Sequence, residues 1–180
     1  MVEAFLFFYI MDFKKIPAGE NPPSKINVLI EIPQGSAVKY ELDKNFGIIK
    51  VDRLLHTSMN YPFNYGFIPN THAEDGDPID VLLISSMPIV PGAIIAARPI
   101  GLLEMEDEAG PDNKILAVPK EKIDPQFATV KDVADLNEHL KNRIRHFFES
   151  YKELETGKWV KTKRFLGKAE AEAEIKKTLL

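Results

Sequence analysis

Asp75-Gly76-Asp77-Pro78-Ile79-Asp80 runs directly into Val81-Leu82-Leu83-Ile84. The apolar run reads as a buried strand, so the acidic hexapeptide stands where a loop enters the core. Two carboxylates about 4 Å apart repel by roughly 4 kcal/mol at an effective dielectric of ~20, and three crowded at a strand mouth gain nothing structural. A cation relieves that repulsion, and ligands that are all oxygen favour a hard ion such as Mg²⁺, Mn²⁺ or Ca²⁺. An EF-hand loop starting at Asp75 is excluded, because Ile79, Asp80 and Ser86 stand where an oxygen ligand, a Gly and a Glu would be needed. The structural alternative is the Asp-Gly turn of a plain hairpin.

Upstream, Ile26 to Ile32 alternates into a β-branched strand ended by Pro33, with Glu31 interrupting its apolar end. Lys39 to Asp43 and Ile48 to Arg53 read as a hairpin around Lys44-Asn45-Phe46-Gly47, with Gly47 at a left-handed position. Lys39 and Glu41 share one strand face, because side chains repeat every two residues. The aromatic stretch Tyr61 to Pro69 packs around a bend. Downstream, Ile79 to Ser85, Ala93 to Ile100 and Lys114 to Val118 supply further strands. Between the last two, the Gly110-Pro111 pair is expected to fold Asp107 and Asp112 toward each other.

The period then changes. Leu136, Leu140, Ile144, Phe147, Tyr151 and Leu154 recur at three and four, predicting an amphipathic helix of about five turns with Asp135 and Glu138 as its capping box. Tyr151 falls on the buried stripe and Lys152 steps off it, which predicts an exposed lysine. Lys168 to Leu180 reads as a shorter helix with Ala171, Ile175 and Leu179 on one face. Strands followed by helices indicate an α+β domain with a closed or nearly closed antiparallel sheet.

The 180 residues suffice for one domain, expected over 11–180, and 44% hydrophobic with 28% charged residues is ordinary for a globular protein. A net charge of −4 gives no general attraction to nucleic acid or an anionic membrane. Without cysteine there is no disulfide, thiol nucleophile or Cys-based zinc site. The apolar Ala4 to Ile10 lacks a basic n-region and a cleavage site and is far short of a bilayer span, so 1–10 is read as an N-terminal extension, expected to be disordered, with Met11 as a natural start. His56, His72, His139 and His146 show no ligand spacing, and no G-x-S-x-G, Walker A or G-x-G-x-x-G motif is present.

Taken together, Glu31-Ile32-Pro33, Lys39-Tyr40-Glu41, Val51-Asp52-Arg53, Tyr61-Pro62-Phe63-Asn64-Tyr65-Gly66, the D-G-D-P-x-D signature at Asp75 to Asp80, Asp107-Glu108-Ala109-Gly110 and His146 to Lys152 closely resemble the soluble inorganic pyrophosphatases of family I. The resemblance implies a five-stranded OB-like closed barrel flanked by helices. It implies Mg²⁺-dependent hydrolysis of pyrophosphate to two phosphates by a metal-bridged hydroxide, with Mn²⁺ or Zn²⁺ as substitutes and Ca²⁺ inhibitory. It also implies a cytoplasmic enzyme, usually a homohexamer, with no nucleic-acid or membrane partner.

Carried over by position, Asp75, Asp80 and Asp112 would hold the first metal, Asp80 shared with a second, and Asp107 with Asp112 a metal that arrives with substrate. Asp77 would be the base. Lys39, Arg53, Tyr65, Lys114, Tyr151 and Lys152 match phosphate ligands, while Glu31, Glu41 and Tyr61 match residues of the outer shell. Two departures stand out: Arg164-Phe165 replaces the Gly-Trp common after a basic stretch, and Met1 to Ile10 has no counterpart. The physics agrees, since pyrophosphate carries three to four negative charges and asks for both fixed cationic donors and metal ions. An OB-type nucleic-acid binder is opposed by the acidic pocket. A non-catalytic ion-binding module leaves Lys39, Arg53 and Lys152 unexplained.

Overall fold

The computed structural model describes residues 13–73 and 76–180; the expectations for Met1 to Ile10 and for Asp75 fall outside the described residues. Nine strands and two α-helices are described. The strands are β1 (Ile26–Ile32), β2 (Val38–Asp43), β3 (Ile48–Leu54), β4 (Asn64–Phe67), β5 (Asp80–Leu83), β6 (Ile94–Asp107), β7 (Gly110–Pro111), β8 (Lys114–Pro119) and β9 (Val160–Leu166). The helices are α1 (Glu138–Ser150) and α2 (Lys168–Thr178).

Among these, β1, β4, β5, β8 and β6 pair in that order, and β6 returns to pair with β1, so their hydrogen bonding closes into a ring. The expectation of a closed sheet holds, but its antiparallel character needs one correction: β5 and β8 run parallel, Val81 opposite Ile115. The ring strands read as continuous apolar runs because both of their faces are covered. Val81, Leu83, Ile115 and Ala117 pack into a cluster with Ala171 and Ile175 of α2. The alternate residues Leu82, Leu116 and Val118 join Ile144, Phe147 and Phe148 of α1. β1 lies so close over β4 that a side-chain carbon at Gly66 would run into the Leu29 carbonyl.

The β2–β3 hairpin is a separate two-stranded sheet, turned by Gly47 at φ 64°. β6 extends well past the expected Ile100, and its distal half pairs with β9, which the sequence pattern did not reveal. Three of the seven residues of β9 are basic, and two of them meet the acidic end of β6, Lys163 to Glu106 at 2.6 Å and Arg164 to Glu104 at 2.7 Å. In the Arg164-Phe165 departure, Phe165 packs on the α1 cluster under the Arg145 guanidinium, 5.3 Å from its ring centroid.

α1 is shorter than the five turns expected. It begins after Asn137, whose side chain accepts the Leu140 N–H at 2.9 Å, and ends at Ser150, leaving Leu154 exposed. Asp135 does not box with Glu138. Its carboxylate turns back to accept the Lys131 and Asp132 N–H groups and closes a box over the 3₁₀ turn Val133–Asp135 instead. Asp132 also accepts the Lys168 N–H at 2.8 Å, serving the first turn of α2, whose own N-cap is Gly167. Asp132→Ala should therefore cost about 1 to 2 kcal/mol by loosening both termini, checked by urea denaturation; an unchanged midpoint would remove this cap from the account.

Candidate active site

The parallel register that sets Val81 opposite Ile115 also sets the preceding residues, Asp80 and Lys114, side by side at one end of the ring. The Lys114 side chain is 5% exposed, and its ammonium lies 2.5 Å from Asp80 and against Asp112. Asp112 is brought there by its N–H, which donates to the Met105 carbonyl beside the β6–β7 turn. Tyr65 of β4 completes this corner, its ring centroid 5.8 Å from the Lys114 ammonium. Burial pushes the Tyr65 phenol well up, aided by Asp80 and Asp112. Burial also works to lower the Lys114 amine, but the two carboxylates outweigh it and hold the amine protonated. Burial raises the Asp112 carboxyl against the pull of Lys114.

A second cation stands at the end of α1. Lys152, expected to be exposed, is only 5% exposed; its ammonium is held by Asp107 at 2.8 Å and Glu108 at 3.0 Å. α1 stops before Lys152, so the turn that follows directs it inward to the acidic β6–β7 hairpin, where the helical stripe would have sent it to solvent. Burial works to raise Asp107, and the hydrogen bonds from Lys152 and the Ala109 N–H bring it below the ordinary carboxylate range. Tyr151 stacks on Phe147 at 5.2 Å and stands 6.5 Å from Tyr61, whose ring is 5.7 Å from Tyr65. The three expected tyrosines thus form one wall.

The β2–β3 hairpin closes the other side. A cleft of about 410 Å³ is lined by Glu31, Lys39, Glu41, Tyr65, Asp77 and Asp80 among others. Lys39 pairs with Glu41 at 2.5 Å and with Asp52 at 3.5 Å. Arg53 pairs with Asp52 at 2.7 Å and Glu155 at 3.1 Å. Asp77 opens onto the cleft with 68% of its side chain exposed, paired with Lys44 of the hairpin turn. The chain's local spacing does not announce Asp52, Glu155, Glu108 or Lys44; a signal existed for Asp52 and Glu108, which sit inside the quoted motifs.

Glu31 fastens the hairpin by accepting the Leu42 N–H at 2.7 Å. Burial raises its carboxyl to about 7, opposed by that hydrogen bond and assisted by Asp80 and Glu41. A carboxyl raised above its unfolded value stabilises the fold at low pH, and that contribution is lost as pH rises toward 7. Glu31→Gln keeps an oxygen acceptor for Leu42 and never ionises. The metal-free variant should melt with the parent at pH 4 and be more stable at pH 8, by up to about 3 kcal/mol; thermal melts at the two pH values test this, and equal stability at pH 8 would refute it.

The donor set suits hard divalent ions. Glu31, Glu41, Asp77, Asp80, Asp107 and Asp112 offer only oxygen and outnumber Lys39, Arg53, Lys114 and Lys152 by two. The Lys114 ammonium, lodged between Asp80 and Asp112, shows that this pair accepts a cation. Among the described residues no trio of acidic or imidazole groups surrounds one point, and the expected third member, Asp75, lies outside them.

A family model described as inorganic pyrophosphatase matches residues 28–180. The inorganic pyrophosphatase of Aquifex pyrophilus is 59% identical over 167 residues, covering 93% of this chain and 94% of the relative. That of Aeropyrum pernix is 56% identical, covering 92% and 94%. Among solved structures, the inorganic pyrophosphatase of Thermus thermophilus superposes with a TM-score of 0.90 at 43% identity, covering 94% of this chain and 97% of that one.

Proposed function

Since the chain belongs to the inorganic pyrophosphatase family, we propose that it hydrolyses pyrophosphate to two phosphates in the cleft between the β2–β3 hairpin and the Asp80–Lys114–Asp112 corner, with Mg²⁺ as cofactor. One observation carries this reading. Each cation assigned to phosphate is already gripped by carboxylates, and the carboxylates are in excess. A pocket built for a folded-state ion pair alone would balance its charges. One that must take up a polyanion together with divalent cations needs both signs, with more acid than base.

Asp75, Asp80, Asp107 and Asp112 would hold the ions, which when bound supply an acidified water and neutralise the charge shared between the two phosphoryl groups. Lys39, Lys114 and Lys152 exchange their carboxylate partners for phosphate oxygens as substrate enters, Arg53 offers a guanidinium edge, and Tyr65 and Tyr151 add phenol donors from the aromatic wall. Asp77, 68% exposed and facing the same cleft as Asp80, accepts a proton from the attacking water. Glu31 and Glu41 act from the outer shell by holding the hairpin and Lys39, and Tyr61 backs the other tyrosines. Phosphoryl transfer asks for positioning and electrostatic stabilisation above all, and this arrangement offers both.

The same reading gives an OB-like barrel for the closed ring, a single domain over 11–180 and a cytoplasmic homohexamer. The exposed Phe46, Ile48 and Leu54 of the hairpin and Met87 and Val90 beyond β5 support assembly. Net negative charge opposes a nucleic-acid partner, and no described helix is long and apolar enough to cross a membrane. Phosphate release from pyrophosphate with and without Mg²⁺, with ATP as comparison substrate and a single-stranded oligonucleotide titration beside it, tests the whole. Mn²⁺ or Zn²⁺ should substitute. Ca²⁺ should bind and inhibit, because its longer, irregular coordination acidifies water less; comparable turnover with Ca²⁺ as sole metal would overturn the ion assignment.

A further inference from the structure

The β2–β3 hairpin brings Lys39 and Glu41 to the cleft and sets Arg53 opposite Lys39, yet it shares no ladder with the seven-stranded sheet. Leu42 and Ile49 pack it against Leu29 and Phe67, and polar tethers hold it as well. One is the Leu42 N–H held by Glu31. Another spans 102 residues of sequence: the Arg53 Nε–H donates to Glu155 Oε1 at 3.1 Å. Glu155 stands in the turn after α1, where its N–H donates to the Lys152 carbonyl at 3.0 Å and its own carbonyl accepts the Lys158 N–H at 3.1 Å. Its position is thus locked to that of Lys152, three residues upstream.

The Glu155 side chain is 11% exposed. A carboxylate withdrawn that far from water on a surface turn needs a partner, and Arg53 is the one it has among the described ion pairs. On the other edge of the guanidinium, Nη1 donates to Asp52 at 2.7 Å. The group is planar, so fixing Nε and Nη1 fixes its plane and the direction of the Nη2 hydrogens. Those hydrogens bond to no described residue.

We propose that Glu155 is a positioning residue: through Nε it sets the plane of Arg53, so that the Nη2 edge faces pyrophosphate and keeps a fixed separation from Lys152. The proposal rests on the reading of this cleft as the pyrophosphate site. It has an electrostatic rival of opposite sign. A carboxylate beside Arg53 also repels an incoming anion, so removing its charge alone should tighten binding, while removing its hydrogen bond should weaken it.

Glu155→Gln keeps the Oε1 acceptor and loses the charge. Glu155→Ala loses both, and Glu155→Leu does so while keeping bulk should the alanine variant not fold. The full chain with Mg²⁺ is titrated calorimetrically with imidodiphosphate, and the Arg Nε–H resonances are followed by ¹H–¹⁵N NMR. Glu155→Ala or Glu155→Leu should weaken binding by about 3- to 10-fold and shift the Arg53 Nε–H resonance. Glu155→Gln should bind as tightly as the parent or tighter and keep that resonance. In an Arg53→Ala background the alanine change should add nothing. Equal tightening by alanine and glutamine, an additive loss in the Arg53→Ala background, or an unmoved Nε–H resonance would each overturn the proposal, as would a parent that binds no imidodiphosphate. A parent that binds imidodiphosphate but releases no phosphate from pyrophosphate would sink the hydrolytic reading alone.

Discussion

Asp77→Asn is expected to slow hydrolysis by on the order of 10² to 10⁴ while leaving resting Mg²⁺ affinity nearly unchanged, whereas Asp80→Asn should lose metal and activity together. The two residues flank Pro78, and the structure separates their surroundings. Asp80 opens β5, 31% exposed, with its carboxylate against the buried Lys114 and within the field of Tyr65, Glu31 and Asp112. A charge removed from that corner is missed by every ion the corner holds, and high Mg²⁺ should restore part of what is lost. Asp77 is 68% exposed on the loop before β5, touching Lys44 at the hairpin turn. A carboxylate so placed can meet a water in the cleft and hand its proton onward to solvent. Its amide replacement should therefore hydrolyse slowly and fail to recover at high Mg²⁺. Equilibrium Mg²⁺ titration beside steady-state rates decides the matter: if Asp77→Asn loses metal as badly as Asp80→Asn, Asp77 is a ligand and the base lies elsewhere.

Lys114→Met should separate stability from turnover in a different way. The methionine fills the same buried volume but leaves Asp80 and Asp112 facing each other beside Tyr65 without a cation. Breaking a buried ion pair on one side costs about 3 to 5 kcal/mol when both partners are dry. Asp80 and Asp112 retain 31% and 25% exposure, so the metal-free protein should lose about 2 to 4 kcal/mol. Mg²⁺ should return most of it. The ammonium competes with metal for the same two carboxylates, so the variant should bind resting Mg²⁺ at least as tightly as the parent. Catalysis has no such remedy: a fixed donor to the developing phosphoryl charge is gone, and kcat/KM should fall by roughly 10² to 10³. Calorimetric melts with and without Mg²⁺, set beside rates at saturating metal, give the test. A variant whose rate is within twofold of the parent would take Lys114 out of the substrate site.

The acidic hexapeptide, the strand that follows it and the hairpin around Gly47 are all properties of short stretches, and local periodicity and turn chemistry suffice to read them. The whole of β1 was legible for that reason, as was the apolar face of α2. So was the family, because D-G-D-P-x-D in company with the other motifs is a matter of residue identity and order.

What escaped was decided between distant segments. Val160 and Thr162 alternate with Lys161 and Lys163 too briefly to mark a strand until the acidic end of β6 lies beside them, and Lys152 reads as a surface lysine until the turn after α1 delivers it to Asp107 and Glu108. The parallel pairing that sets Asp80 beside Lys114 is a register, and register depends on how both faces of β5 and β8 are covered by α1 and α2. The grip of Glu155 on Arg53 spans 102 residues and belongs to neither stretch alone. The sequence by itself determined which chemical groups this protein has and in what family order they come. Which carboxylate holds which cation was left to the tertiary structure, because an ion pair is set by distance in space and by the water excluded around it, and neither is written along the chain.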